Sequence, residues 1–323
     1  MNSDILIQVK DLKKHFSVGA LFKKKKTVYA VDGINFFIKK NSVFGLVGES
    51  GCGKSTVGKL VLRLLEPTNG TVHFKKENIF NLSKKEMRNL RKNMQMVFQD
   101  PFTSLNPKMT MGEIIKEPIL VHKLYDNKQD LNLRVFELIK LVGLNVEHDR
   151  KYPHEFSGGQ RQRIAIARAI AINPSFIVAD EPVSSLDAFI QLQVLDLMKD
   201  LQKKLNLTYL FISHDLSVVK YMCDTVAVMY LGKIIEMGDT FDVFNNPKHP
   251  FTQALISAIP ISNPRMSEKK KRIVLKGEVP SPINPPKGCN FHTRCSYKKE
   301  ICMQVEPEFM EVGSEHFVSC HLW

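Results

Sequence analysis

Residues 48–55 read Gly48-Glu49-Ser50-Gly51-Cys52-Gly53-Lys54-Ser55, a glycine-spaced turn that ends in a lysine and a hydroxyl. Backbone N–H groups from Ser50 through Cys52 to Ser55, aimed inward at the start of a helix, can surround phosphate oxygens. Gly51 and Gly53 remove the Cβ atoms that would block that approach. Lys54 adds a mobile positive charge for the outer phosphates, Ser55 a hydroxyl suited to Mg2+, and Thr56 a further phosphate contact. The competing reading is a tight strand-to-helix turn with no ligand.

Two further groups carry chemistry. Phe176-Ile177-Val178-Ala179-Asp180-Glu181 is an apolar run that ends in adjacent carboxylates. A buried strand finishes in two negative charges only where something positive or hydrogen-bonding awaits them. Asp180 can hold a hydrated metal while Glu181 polarises a water as general base; the alternative is a strand running out into solvent. Phe156-Ser157-Gly158-Gly159-Gln160 places a serine and two glycines where a helix begins. That makes either a second anion-binding N-terminus or a capped helix and nothing else.

The elements that must position these groups follow from apolar periodicity. Residues 5–9, 27–31, 34–38 and 43–47 read as β segments, the last leading straight into the glycine turn, and residues 54–65 as the helix after it. Residues 111–144 turn helical. A strand at 176–179, a helix from about 187 to 205 and a strand at 209–212 follow. Such alternation predicts a mostly parallel sheet covered by helices. Residues 260–287 are proline-rich and carry the basic cluster 269–272, as expected of a linker or surface arm.

The chain has 323 residues, 43% of them hydrophobic, enough for one large or two modest domains. Its 46 Lys and Arg against 33 Asp and Glu give +13, a balance suited to nucleic acid, an anionic membrane surface or phosphorylated ligands, without choosing among them. The clusters 23–26 and 269–272 read as solvated surface lysine or as a binding patch. No long apolar run and no signal-peptide core are present, so a cytosolic chain is expected, with any membrane role carried by partners. Of six cysteines, Cys289, Cys295, Cys302 and Cys320 crowd near the C-terminus with the spacing C-x5-C-x6-C-x17-C. Four thiolates can complete a tetrahedral Zn2+ site or hold an iron–sulfur cluster; disulfides and unligated thiols are the other readings, and His292, His316 and His321 are additional candidate ligands.

The segment Ser157-Gly158-Gly159-Gln160 resembles the signature motif of ABC ATPases, and the rest of that family's pattern can be found in order. Gln99 in Phe98-Gln99-Asp100-Pro101 matches the Q-loop glutamine, which the resemblance implies touches Mg2+ and water and relays contact to membrane subunits. Ser184-Ser185-Leu186-Asp187 resembles the D-loop, His214 in Ile212-Ser213-His214-Asp215 matches the switch histidine that senses the γ-phosphate, and Phe16 is the candidate for stacking on adenine. The resemblance spans residues 5–258. It implies an α/β P-loop NTPase cassette with a RecA-like core, an antiparallel β subdomain and a helical subdomain at about 100–160. The implied division is a cassette at 1–258, a linker or arm at 259–287 and a Cys-rich metal-binding module at 288–323.

A narrower likeness is to the ATPases of oligopeptide and dipeptide permeases, in particular their second ATPase subunit. It rests on Gly288-Cys289-Asn290-Phe291-His292-Thr293-Arg294-Cys295, Ser319-Cys320-His321, the run from Phe98 to Pro107 and the run from Tyr152 to Ser157. It implies an ATP-hydrolysing subunit, using ATP and Mg2+, at the cytoplasmic face of the membrane. The implied partners are a second, different ATPase, two integral permease subunits and, indirectly, an extracytoplasmic substrate-binding protein, with no nucleic acid. The same likeness favours a [4Fe–4S] cluster over Zn2+ at the four cysteines. The rivals are a soluble ABC ATPase acting on nucleic acid or ribosomes, and an importer of nickel or another small solute.

Overall fold

The computed structural model describes residues 4–19, 26–260 and 272–323. Residues 23–25 and 269–271 of the two basic clusters, and residues 261–271 of the expected arm, lie outside them. The chain forms two compact units, residues 1–38, 43–80 and 213–323 in the first and residues 39–42 and 81–212 in the second.

The first unit holds two sheets. Strands Lys26–Lys39, Ile5–Val18, Asn69–Phe74 and Glu77–Asn78 lie side by side in that order, with Ile7 opposite Phe74 and Val9 opposite Val72. The two short segments expected at 27–31 and 34–38 are one strand, because Gly33 adopts a left-handed φ of 74° within it and lets the ladder continue through the irregularity. The other sheet runs Phe309–Gly313, His316–Ser319, Lys233–Asp239, Thr225–Tyr230, Val43–Val47. Its last pair is parallel, Val47 lying opposite Val228, and the other pairs are antiparallel. All five residues of Val43–Val47 are buried, as a continuous apolar run requires.

The C-terminal hairpin thus adds two strands to this sheet and is sealed at a buried carboxylate. Glu236 is fully inaccessible and accepts from the backbone N–H of Lys248 at 2.6 Å and of His249 at 2.9 Å, while His316 Nε2 lies 2.8 Å from it. A buried charge is tolerated only with its lone pairs filled in this way. His249 in turn caps the helix Pro250–Ser257, its Nδ1 accepting from Phe251 N–H at 3.0 Å. Burial holds it neutral for that task, pushing its pKa down to about 4 against the pull of Glu236.

In the second unit the strands Met94–Val97, Phe176–Asp180 and Thr208–Ser213 pair in parallel, Val97 opposite Ala179 and Asp180 opposite Ile212. Helices Met111–Val121 and Lys128–Leu141 pack on one another and on Gly158–Ile170. Their starts are chemically marked: Thr110 and Glu113 form a reciprocal capping box, and Asn127 accepts from Gln129 N–H. The helix Ala188–Leu205 closes with Asn206 at φ 51°, the left-handed position that ends many helices.

Candidate functional site

Within the first unit, the strand Val43–Val47 delivers the glycine turn to the helix Lys54–Val61. Two of the glycines are fixed by space. A Cβ on Gly48 would overlap the Met229 carbonyl oxygen, and one on Gly53 the Ala30 carbonyl oxygen. Gly53 also sits at φ 110°, a conformation that L side chains rarely adopt. Gly51, at φ 79°, meets nothing within 4 Å, so its requirement is conformational alone. The helix has no side-chain cap at its N-terminus, which leaves its first N–H groups facing the turn as an anion-binding end.

Lys54 is 5% exposed and donates from Nζ to the carbonyls of Gly48 at 2.8 Å and Glu49 at 3.1 Å. A buried ammonium held by two neutral carbonyls, with the Cys52 sulfur 3.9 Å away, is a strong attraction for an anion. Cys52 is buried beneath the turn, and desolvation raises its thiol pKa despite the nearby Lys54 charge, so it serves as packing and not as a nucleophile. Ser55 and Thr56 lie half-buried in the first helical turn, and Ser50 is exposed at the tip of the loop.

The helix is shorter than the expected 54–65. Arg63 takes a left-handed φ of 48° and Leu64 N–H turns back to the Lys59 carbonyl at 2.8 Å, a backbone closure that local composition does not signal. Phe16 lies half-buried in the strand Ile5–Val18 with Lys14 Nζ 5.1 Å from its ring centre, so this aromatic face already carries a cation. His214 is exposed immediately after the strand Thr208–Ser213, and the next residue, Asp215, caps the helix Leu216–Met222 by accepting from Ser217 N–H at 2.7 Å.

In the second unit Asp180 is 5% exposed at the end of its strand. Glu181 follows with φ 46°, a left-handed conformation that is costly for a non-glycine residue, anchored by its N–H to the Ile212 carbonyl at 2.9 Å. That turn swings the carboxylate out of the strand line to Gln99, whose Nε2 donates to Glu181 Oε2 at 3.0 Å. Ser184 closes the next turn through its hydroxyl, which donates to the Glu181 carbonyl at 3.1 Å. Ser185 is exposed, Leu186 half-buried, and Asp187 caps the helix Ala188–Leu205 by accepting from Ile190 N–H at 3.1 Å.

Ser157 and Gln160 satisfy each other at the start of Gly158–Ile170. Gln160 N–H donates to Ser157 Oγ at 3.3 Å, and Ser157 N–H donates to Gln160 Oε1 at 3.0 Å. Gly158 lies against Leu186, and a Cβ on Gly159 would overlap the Ile190 side chain. We therefore expect Gly159→Ala to lower stability. The overpacking costs about 1–3 kcal/mol and outweighs the roughly 1 kcal/mol that alanine adds to a helix. Denaturant unfolding checks this, and trimming Ile190 to alanine in the same chain should recover the loss.

At the C-terminal end, Cys289, Cys295, Cys302 and Cys320 are thiols, not disulfides. Burial lifts Cys289 to about 11 and raises Cys295 and Cys320 as well, the neighbouring sulfurs adding to the effect. Among the described residues no group of three or more His, Cys, Asp or Glu side chains is placed to hold a metal ion. The metal of the expected C-terminal module is therefore not shown by this structure. The module's folding rests on protein contacts: Cys289 N–H donates to the Cys302 carbonyl at 2.8 Å, and Phe291 is buried against Tyr230 and Phe251. His316 is committed to Glu236 and His321 Nε2 lies 2.9 Å from the Val305 carbonyl, so neither adds to a ligand set.

Sequence reasoning missed Arg294. Its Nη1 and Nη2 donate to Glu49 of the glycine turn at 2.8 and 3.1 Å. The two residues lie 245 positions apart, and no local pattern announces the pair.

Known proteins resemble this chain in sequence and in fold. The "ABC transporter" family matches residues 31–184, and the "Oligopeptide/dipeptide transporter, C-terminal region" family matches residues 235–302. The chain is 54% identical to the oligopeptide transport ATP-binding protein AppF of Bacillus subtilis (strain 168), over 100% of this chain and 98% of that protein. It is 45% identical to the dipeptide transport ATP-binding protein DppF of Escherichia coli (strain K12), over 98% of this chain and 93% of that protein. Among solved structures it resembles a dimeric, post-hydrolysis state of the ATP-binding cassette MJ0796 bound to ADP and Pi. That likeness has a TM-score of 0.65 at 27% identity and covers 73% of this chain and 99% of the other.

Proposed function

This chain belongs to the ABC transporter ATP-binding proteins of the oligopeptide/dipeptide group, and on that premise we propose that it hydrolyses ATP to drive peptide import through membrane permease subunits. The observation that carries the ATPase reading is the Lys54 ammonium, seated on two carbonyls of a turn whose Gly48 and Gly53 leave no room for a Cβ. Triphosphate oxygens are better partners for that ammonium than neutral carbonyls are, so ATP binding draws Lys54 off its resting contacts. The loop N–H groups from Ser50 to Thr56 take the remaining phosphate oxygens.

The Ser55 hydroxyl, the Gln99 amide oxygen and the Asp180 carboxylate are hard oxygen donors of the kind Mg2+ selects. When bound, the metal neutralises charge on the phosphoryl oxygens. Glu181 takes the proton of the attacking water, and the Gln99 amide, already bonded to that carboxylate, orients it. His214 reports the γ-phosphate, Phe16 stacks on adenine, Ser157 to Gln160 act on the ATP of a partner cassette, and Ser184 to Asp187 couple the two.

The proposed division remains a cassette at 1–258, an arm at 259–287 and a Cys-rich segment at 288–323. No helix among the described residues is long and apolar enough to cross a membrane; the proposed placement is peripheral, on permease subunits at the cytoplasmic face, as the likeness to peptide transport ATP-binding proteins implies. A second, different ATPase subunit completes the pair, and an extracytoplasmic binding protein supplies the peptide. A [4Fe–4S] cluster, or Zn2+, at the four cysteines is supported only by the chemistry of the donor set.

Affinity purification from membranes tests these partners. Two integral subunits and a second cassette should accompany the chain in a preparation whose ATPase activity responds to peptide-loaded binding protein. Recovery of the chain alone, or with itself only, removes the importer assignment or the heterodimer. Iron, sulfide and zinc assays of the same material, purified without oxygen, decide the cysteines, and a folded protein with none of the three removes the metal.

A further inference from the structure

We propose that Arg294, in the C-terminal segment, is a positioning residue of the nucleotide site that holds the phosphate loop through Glu49. The inference rests on the ATP-binding reading above. The contact is bidentate, at 2.8 and 3.1 Å, and partly shielded, the Arg294 side chain being 8% and that of Glu49 26% exposed. Such fork-shaped pairs fix direction as well as distance.

Arg294 is aimed from an anchored platform. Its own N–H donates to the Phe291 carbonyl at 3.0 Å, and Phe291 is buried among Tyr230, Phe251 and His249, with ring centres 5.3 to 5.5 Å away. Asn290 Nδ2 donates to the Leu231 carbonyl at 3.3 Å, tying the same segment to the end of the strand Thr225–Tyr230. Next to that strand end, Gly232 N–H donates to the Cys52 carbonyl at 3.0 Å, so the loop and the C-terminal segment share one support.

The held residue matters because Glu49 does two things in the loop. Its carbonyl oxygen accepts from Lys54 at 3.1 Å and from Cys52 N–H at 3.3 Å, so clamping its side chain steadies the peptide that seats the lysine. Its carboxylate also puts a negative charge in the very loop that must accept a triphosphate. Arg294 neutralises that charge. An unpaired Glu49 would repel the ligand at short range, where solvent screening is weak.

The test is ATP affinity and turnover of the full-length chain. Arg294→Gln should raise the ATP Kd by about tenfold or more, the scale of one lost charge-assisted pair, with kcat at saturating ATP within about twofold of wild type. Adding Glu49→Gln should restore at least half of the lost affinity on a logarithmic scale, because the unpaired charge is then gone. Arg294→Lys should fall between wild type and Arg294→Gln.

A Kd for Arg294→Gln within twofold of wild type overturns the proposal, and so does a loss that Glu49→Gln does not relieve. If Arg294→Gln fails to fold, the double variant carries the test: near-wild-type affinity supports the proposal and a loss as large as tenfold overturns it. A wild-type chain that does not bind ATP defeats the functional reading itself, a result distinct from all of these.

Discussion

Glu181→Gln is expected to lower ATP turnover by about 10²–10⁴-fold while leaving ATP binding intact. The substitution removes basicity and little else. Gln99 donates to a carboxylate oxygen of Glu181 at 3.0 Å, and the amide oxygen of a glutamine can accept that same bond. The left-handed turn at φ 46° and its anchor to the Ile212 carbonyl belong to the backbone and are unaffected by the exchange. Single-turnover hydrolysis beside equilibrium nucleotide binding separates the two effects. Near-normal hydrolysis would remove Glu181 as the base and leave its strained backbone without a catalytic explanation.

The second large effect is expected at Gly53. An alanine there must both adopt φ 110° and find room where the Ala30 carbonyl already sits. Conformational strain and overlap together cost about 2–4 kcal/mol, which at the site means a roughly thirty- to thousandfold weaker ATP Kd if the loop yields instead of the strand behind it. Gly51→Ala is the control. Its φ of 79° carries a similar conformational penalty, yet nothing lies within 4 Å of the added methyl, so a loss of only about fivefold is expected. Equal losses from the two alanines would show that space behind the loop is not what holds it. Calorimetric titration with ATP and thermal unfolding of both variants make the comparison.

The parts of the fold legible in the sequence are those whose cause is local. Continuous apolar runs at 43–47 and 176–179 read as strands buried on both faces, and both are. Ser157 followed three residues later by Gln160 carries its own capping partner, so the start of that helix could be placed to the residue. Boundaries set by the backbone itself were not legible. Gly33 extends a strand where a glycine suggests a break, and Arg63 ends a helix in a conformation that its side chain does not advertise. Nor was the destination of the C-terminal segment. Four cysteines in a short stretch draw attention to their sulfurs, while the contact reaching the glycine turn is made by the arginine beside one of them.

The long separation between Glu49 and Arg294 also bears on how the molecule is made. A chain leaving the ribosome N-terminus first presents residues 48–55 early, and folding of the emerged portion proceeds as it lengthens. The ion pair joining these residues spans 245 positions, so it can close only once residue 294 has emerged. Until then the glycine turn carries an unanswered carboxylate and has not yet acquired its final charge balance. Maturation of the loop therefore waits for residue 294, and a chain cut short ahead of it would present the turn without its counter-charge.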